Sequence, residues 1–402
     1  MRALVLTQHF TPEVTAGRFR IEAFVEALVD RGHDVDVVCP VPNHPQGVIQ
    51  PGYRGRPVIR RRVGGADVTY VWVTTSPRKT FVTRLGFYGS FAAAASTVGA
   101  IRRRPDVIVA SSPPLPVGAA GAVLAVRHRR PWVLDARDLW PESAVALGEL
   151  SDRRLIALAE RLERRLYASA TAVVTVNDAF RREIAARAPG EAVIEVIPNG
   201  TSPEWLEASA AEPDRDSLAL PRDRFIWAYA GNIGLAHGLE FAVEAAAPLG
   251  ESHLLLIIGE GPRRAAVERR AAALSGAIEL RPLMPPARAA EHLRAADALF
   301  VSESQERTVA SKLYDYCAVG RPVIAACRGE LRRVVEEAGV GLTVPYGDPG
   351  ALTAAVRRLG DDSALRERLC ARGKEFARAH LREAQARRFA DLVERVAAAA
   401  DR

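Results

Sequence analysis

The chain is almost without lysine. Of its 55 basic residues only Lys79, Lys312 and Lys374 are lysines; the others are arginine. Cysteine is scarce as well. Cys39, Cys317, Cys327 and Cys370 stand apart with no metal-type spacing, which excludes a disulfide framework and a zinc cluster and reads as reduced, mostly buried thiols. No apolar run of membrane-spanning length is free of charge, so no transmembrane helix is expected. The opening MRALVLTQHF turns polar too soon for a signal peptide and reads as a first strand, which gives an expected cytoplasmic location. Aromatic residues make up only 6% of the chain, and no basic, aromatic-interleaved motif occurs, so nucleic acid is not an expected partner. The first strand, Ala3–Thr7, is not followed by G-x-G-x-x-G, which argues against NAD.

What is present bounds the answer further. A length of 402 residues with 48% hydrophobic composition implies two domains with sizeable cores. A formal net charge of +7 allows an anionic partner such as a phosphorylated small molecule or an anionic membrane surface. Strands and helices alternate: strand Ala3–Thr7, a helix to Arg31 closed by Gly32, strand His33–Cys39, a Pro-, Gly- and Arg-rich stretch 40–65, strand Pro105–Ser112, helix Gly118–Arg130, strand Trp132–Asp135. That is the grammar of doubly wound parallel α/β sheets. Residues 201–224 are polar and acidic and read as a linker.

The stretch from Ala298 to Glu337 carries the chemistry. Ala298–Val301 predicts a buried strand, Ser302–Ala310 a loop, and Leu313, Tyr316 and Cys317 one face of a helix that starts near Ser311 and stops at Gly320. Lys312 lies in the first turn of that helix, where the macrodipole disfavours a cation. A lysine belongs there if an anion shares the site, held by the same helix start. Asp315 follows on the same face, suited to two sugar hydroxyls. The alternative is a solvated Lys312–Asp315 surface pair.

Ser311-Lys-Leu-Tyr-Asp-Tyr-Cys-Ala-Val-Gly-Arg-Pro-Val-Ile-Ala resembles the donor-site motif of GT-B glycosyltransferases of family 4. More narrowly it resembles the bacterial subgroup that adds amino sugars in O-antigen and capsule synthesis, typified by the N-acetyl-L-fucosamine transferase. Asp315 matches the second Glu of the family's E-x7-E motif, whose implied role is ribose binding; Arg307 stands where the first Glu belongs. Arg137-Asp-Leu-Trp-Pro-Glu-Ser matches the subgroup's RDLWPES motif, VPNHPQG (41–47) its acceptor-side segment, and Ile197-Pro-Asn-Gly-Thr the crossing into the second domain. The resemblance implies the GT-B architecture, two Rossmann-like doubly wound parallel-sheet domains facing across a cleft. The expected domains are 1–200, with a C-terminal helix about 383–402 packing back on it, and 225–382.

The same resemblance distributes roles. For the donor it implies Gly17 in the first loop, Gly231, Asn232, Gly234 and His237 in the loop after strand Phe225–Ala230, Gly261 and Arg263 in a GxGPxR-like turn, and Arg281, Pro282 and Leu283 by the nucleobase. Ser311, Lys312, Leu313 and Asp315 complete the donor site with Gly329 and Glu330, Arg333 standing where a further Glu is usual. His237 is otherwise read as structural. The candidate acceptor-binding residues are His9, Arg18 and Arg137, with exposed helix charge as the other reading of Arg18 and Arg20. Asp138, placed after a strand's C-terminal end, is the first candidate to orient or deprotonate the attacking hydroxyl and Glu142 the second; Asp138 as a helix cap is the alternative. Lys312 would stabilise the leaving diphosphate. The manganese signature Asp-x-Asp is absent from the candidate donor loops, so neither a metal nor another cofactor is expected.

The expectation is thus a retaining, metal-independent transferase that moves a sugar, of the N-acetylated or deoxy-amino kind, from a nucleotide diphosphate sugar, expected to be UDP-linked. The acceptor would be a lipid-linked saccharide or a small natural-product molecule. Residues 78–104 read either as a core helix or as a peripheral membrane contact that presents Phe81, Leu85, Phe87, Tyr88 and Phe91 beside Arg78, Lys79 and Arg84. Rival functions are a UDP-N-acetylglucosamine 2-epimerase and a non-catalytic nucleotide-sugar-binding protein.

Overall fold

A computed structural model describes residues 1–400 apart from 79, 149, 189, 191, 208–213 and 275, and the side chains of residues 16 and 81 are also outside the description. The chain divides into two compact units, Met1–Pro198 with Arg382–Arg402, and Asn199–Leu381. The strands of the first are β1 (Arg2–Leu6), β2 (Asp34–Pro40), β3 (Val58–Val63), β4 (Ala66–Val71), β5 (Val107–Ser112), β6 (Trp132–Ala136), β7 (Ala172–Thr175) and β8 (Val193–Val196). They form one sheet in the order β3-β4-β2-β1-β5-β6-β7-β8. Every pairing is parallel except the β3–β4 hairpin. That hairpin lies partly inside the Pro-, Gly- and Arg-rich stretch 40–65, in which no strand was expected. Three successive arginines, Arg60 to Arg62, hide the strand pattern, because an edge strand can carry charge on both faces.

The second unit contains β9 (Phe225–Ala230), β10 (His253–Ile258), β11 (Ile278–Arg281), β12 (Ala298–Glu303), β13 (Val323–Cys327) and β14 (Gly341–Val344). All are parallel, in the order β11-β10-β9-β12-β13-β14. Both faces are covered. Along β9, Ile226 and Ala228 join one apolar cluster while Trp227 and Tyr229 join the other. This is why these strands read as unbroken apolar runs.

The strand order matters more than the strand count. In the first sheet the order reverses between β1 and β5, in the second between β9 and β12. Open α/β sheets bind ligands outside the carboxyl ends of the strands at such reversals, because the connecting helices leave in opposite directions and a crevice opens between them. The chain segments that leave β1, β5, β9 and β12 are therefore where function is sought.

The C-terminal helix Arg382–Ala399 belongs to the first unit. Phe389 stacks on Phe24 with ring centroids 3.9 Å apart, and Glu394 pairs with Arg31 at 2.9 Å and His33 at 2.7 Å. The helix Phe81–Ala100 divides the residues read as a membrane contact. Phe91 is fully buried and Phe87 packs on the core, whereas Val82 and Leu85 are exposed. Phe91 therefore belongs to the core and not to a membrane face; Lys79 and the Phe81 side chain lie outside the described residues. Among the described residues no helix is long and apolar enough to cross a membrane. The expected linker 201–224 contains a helix, Pro203–Glu207, and its stretch 208–213 lies outside the description.

Candidate active site

In the second unit the chain leaves β9 through Gly231-Asn-Ile-Gly and β12 through the segment that leads to Lys312. Lys312 is the first residue of the helix Lys312–Val319, whose start carries no side-chain cap at Ser311. Its ammonium lies 5.0 Å from the centre of the Tyr229 ring, a cation–π distance. Gly231 has φ +140°, and a Cβ there would stand 2.5 Å from Lys312 Cε. Only glycine lets the β9 loop lie against the lysine. Burial lowers the Lys312 pKa to about 8, against the opposing charges of Glu303 and Asp315. His237, donating Nδ1–H to the Ser302 carbonyl at 2.9 Å, is held neutral: burial and then the Lys312 charge lower its pKa to about 3.

Glu303 was not anticipated. The apolar run stops at Val301, yet β12 continues through Ser302 and Glu303 and buries the carboxylate. The Ser-Glu ending masks a strand that is paired to its last residue with β13. Asp315 accepts a 2.9 Å hydrogen bond from the buried Thr201 hydroxyl, so one of its oxygens serves the fold.

Several expected donor residues are committed to structure. Leu313 is a core residue with its amide bonded to the Ala310 carbonyl, so its side chain cannot line a ligand. Arg263 pairs with Glu240. Arg281 donates to Glu279 and to the Leu218 and Ala219 carbonyls, and contacts His292, stapling the loop that precedes β9. Glu330 is buried and pairs with Arg333, which occupies the place of the missing Glu and also holds Glu337. Gly261 and Gly329 permit close backbone approaches, to the Ile233 and Glu306 carbonyls respectively. Pro282 and Leu283 are exposed, as is Asn232, while Gly234 is buried beneath the loop.

The first unit is built differently. Asp135, at the end of β6, is fully buried and receives Nε and Nη2 of Arg20 at 3.2 and 3.1 Å and the Ser111 hydroxyl at 2.9 Å. Arg20 is 4% exposed and also donates to the Pro198 carbonyl, so it is a core ion-pair partner and not exposed helix charge. Arg18 is shielded too, bonded to Glu22 and Thr11. Arg137 donates to Ser111 at 2.9 Å and to the Pro113 carbonyl at 3.0 Å. Gly17 makes room for it, since a Cβ there would lie 2.3 Å from the guanidinium. Gly17 was expected near the donor; in the first unit its steric role is to admit Arg137.

Asp138 follows directly. Burial raises its pKa, partly opposed by hydrogen bonds from Ser143 and the Leu139 amide and by the Arg137 charge. Those bonds make it a brace for the turn that leads into the helix Glu142–Ala146, and the raised pKa is what a proton-accepting group would show. Glu142 is engaged elsewhere. It pairs with Arg187, which also binds buried Glu163 at 3.0 Å and Glu183 at 3.0 Å, with Tyr167 donating to Glu163 at 2.8 Å. That network ties three helices together and leaves Glu142 a poorer candidate for acceptor chemistry than Asp138.

After β1 stands a second unanticipated feature. Nδ1 of His9 lies 2.6 Å from Oε2 of Glu13, which is itself 4% exposed, and Oε1 of Glu13 accepts the amides of Asn43 and His44 at 2.7 and 2.8 Å. The amide partners of Glu13 lie about 30 residues away and carry no spacing signal.

Comparison with known proteins decides the family. Residues 16–200 match the model for a glycosyl transferase 4-like domain and residues 224–362 that for glycosyl transferases group 1, which together cover most of the chain. The chain belongs to the GT4-like glycosyltransferases. A lipopolysaccharide core biosynthesis glycosyltransferase from Rhizobium meliloti is 32% identical over 191 residues, 47% of this chain and 54% of the relative. The chain spans about half to two thirds of the length of the curated relatives it matches. Among solved structures, a sucrose-phosphate synthase from Thermosynechococcus elongatus aligns over 99% of both chains at TM-score 0.74 and 21% identity. Anabaena HepE in complex with UDP-glucose aligns over 98% of this glycosyltransferase and 99% of HepE, at TM-score 0.70 and 16% identity. At those identities the likeness shows the fold, a pair of Rossmann-like sheets of the GT-B type.

Proposed function

We propose that this glycosyltransferase transfers a sugar from a UDP-sugar to an acceptor hydroxyl in glycan or natural-product biosynthesis, with retention of configuration and without a metal. The observation that carries the reading is Lys312: one of three lysines in an arginine-rich chain, partly buried at a helix start and against a glycine loop, at the reversal point of the second sheet. A diphosphate there would meet the ammonium, the first-turn amides and the Gly231–Gly234 backbone. As the bond between the sugar and the diphosphate breaks, negative charge grows on the leaving oxygen, and fixed donors in a water-poor site stabilise it; one such donor is typically worth about 3–4 kcal/mol. Neutral His237 would add a hydrogen bond without competing for the charge. On the acceptor side we assign Arg137, Arg18 and His9 to binding and Asp138 to the attacking hydroxyl.

UDP as the nucleotide is supported by HepE, whose structure contains UDP-glucose. Retention rests on the likeness to family 4. Metal independence is carried over from the sequence, where the candidate donor loops lack Asp-x-Asp. An amino sugar as the transferred group, and a lipid-linked acceptor with peripheral membrane contact, rest on the RDLWPES likeness and on exposed Val82 and Leu85.

Thermal shift with a panel of UDP-, GDP- and dTDP-sugars in EDTA tests the donor. Selective stabilisation by a UDP-sugar, lost in Lys312→Ala, is expected. Stabilisation only on adding Mn²⁺ would overturn metal independence, and release of a 2-epimer without acceptor would replace transfer by epimerisation.

A further inference from the structure

The His9–Glu13 pair has a geometry that the donor chemistry leaves unused. His9 follows β1, at the reversal point of the first sheet, the same topological place that Lys312 serves in the second. A carboxylate only accepts hydrogen bonds, and both Glu13 oxygens are occupied: Oε1 by the amides of Asn43 and His44, Oε2 by His9 Nδ1 at 2.6 Å. The carboxylate is kept ionised, because burial, which pushes its pKa up, is outweighed by the hydrogen bonds from His9 and from the Asn43 and His44 amides. Nδ1 must therefore carry a proton. In the neutral ring Nε2 is then an acceptor, and among the described residues it has no partner. The ring is further fixed by an edge contact with His44 at 5.3 Å and 79°, and by a bond from the Thr7 hydroxyl to the His9 carbonyl at 3.0 Å. The His9 side chain is 25% exposed, so part of the ring reaches solvent.

We infer that His9 Nε2 accepts a hydrogen bond from a hydroxyl of the acceptor that orients it for attack, and that Glu13 is the positioning residue that sets the tautomer for it. The inference rests on the transferase reading. It specifies the ligand chemistry: a neutral hydroxyl donor, since a carboxylate or phosphate oxygen presented to a lone pair beside a buried Glu13 would be repelled. Glu13→Gln has a definite consequence. Gln has one carbonyl oxygen; if it serves the Asn43 and His44 amides, its NH2 faces Nδ1, and the ring proton moves to Nε2. The acceptor becomes a donor while size and shape are kept.

The test is a ¹H–¹⁵N correlation of the histidine rings, with the His9 signals assigned by their loss in His9→Asn. The wild type should show the Nδ1–H tautomer and Glu13→Gln the Nε2–H tautomer. With UDP-glucose present, titration with myo-inositol or octyl β-D-glucoside should move the wild-type Nε2 resonance saturably, and should not do so in Glu13→Gln. Glu13→Gln should keep the wild-type thermal shift with UDP-glucose but lose at least about tenfold in kcat/KM for the acceptor, with Glu13→Asp recovering part of it. An Nε2–H tautomer in the wild type, or no Nε2 response to either probe, overturns the inference. If UDP-sugars give no shift while the tautomer is as stated, the donor reading falls and the dyad stands as a hydroxyl site of another activity. Should Glu13→Gln fail to fold, His9→Asn carries the kinetic comparison.

Discussion

The two sheets place their candidate sites at the same topological position and fill them with opposite chemistry. At the reversal of the second sheet stands a partly buried cation: Lys312, against glycine and an aromatic face, with its pKa drawn down to about 8 by burial in spite of Glu303 and Asp315. At the reversal of the first, charges are matched and locked, Arg20 with Asp135, Arg137 with Ser111 and the Pro113 carbonyl, His9 with Glu13. A desolvated cation at a helix start suits an anion. A matched network with one ring nitrogen left over suits a neutral hydroxyl. The fold sets where a ligand goes, and the residual charge sets which kind.

The sharpest way to break this contrast is to unbalance the matched side. Removing one partner of a buried ion pair strands the other, so Arg20→Met should lower stability by about 3–5 kcal/mol in urea unfolding. A loss below about 1 kcal/mol would mean that Asp135 is readily neutralised and the network is not rigid. On the other side, Lys312→Ala should leave the urea midpoint near the wild type but cut turnover at least about 100-fold. Normal turnover would remove Lys312 from the mechanism. Asp138→Asn should reduce kcat by about 10- to 100-fold, whereas Glu142→Gln, tied to Arg187, should stay within about threefold in kcat and show its effect in melting temperature. Equal losses in the two would mean that the RDLWPES turn acts through its fold and not through Asp138. A graded effect is expected from pH. Lys312 is charged below about 8, and the diphosphate binds the charged form, so UDP-sugar affinity should be highest below that value. It should fall by about tenfold from pH 7 to pH 9 in calorimetric titration. A flat profile would assign the anion to backbone amides alone.

Much of the architecture could be read in advance because parallel strands buried on both faces leave unbroken apolar runs, as in Val323–Cys327 and His253–Ile258. The β3–β4 hairpin and the end of β12 were hidden for the converse reason: Arg60–Arg62 and Ser302–Glu303 sit in strands without looking apolar. Lys312 was legible because composition made it rare. Gly231 was legible as part of a glycine loop, though not its contact with the lysine. Glu13 and Thr201 were not, because the Asn43 and His44 amides and Asp315 lie 30 or more residues away and pairwise contacts leave no local pattern. Arg263, Arg281 and Glu330 show the limit of reading by residue type. Each has a residue type suited to a ligand, and each is held by a protein partner instead.

The return of the C-terminal helix to the first unit has a bearing on how the chain is made. The second unit, Asn199–Leu381, is complete once residue 381 has been synthesised. The first, begun at Met1, still lacks the Phe389 ring that stacks on Phe24 and the Glu394 carboxylate that holds Arg31 and His33. The half synthesised first is thus the last to be finished, and during synthesis it must wait with one apolar face uncovered. Nicking or shortening the last twenty residues would strike the β1 side of the molecule, some 350 residues away in sequence, and leave the half that ends nearest the cut intact.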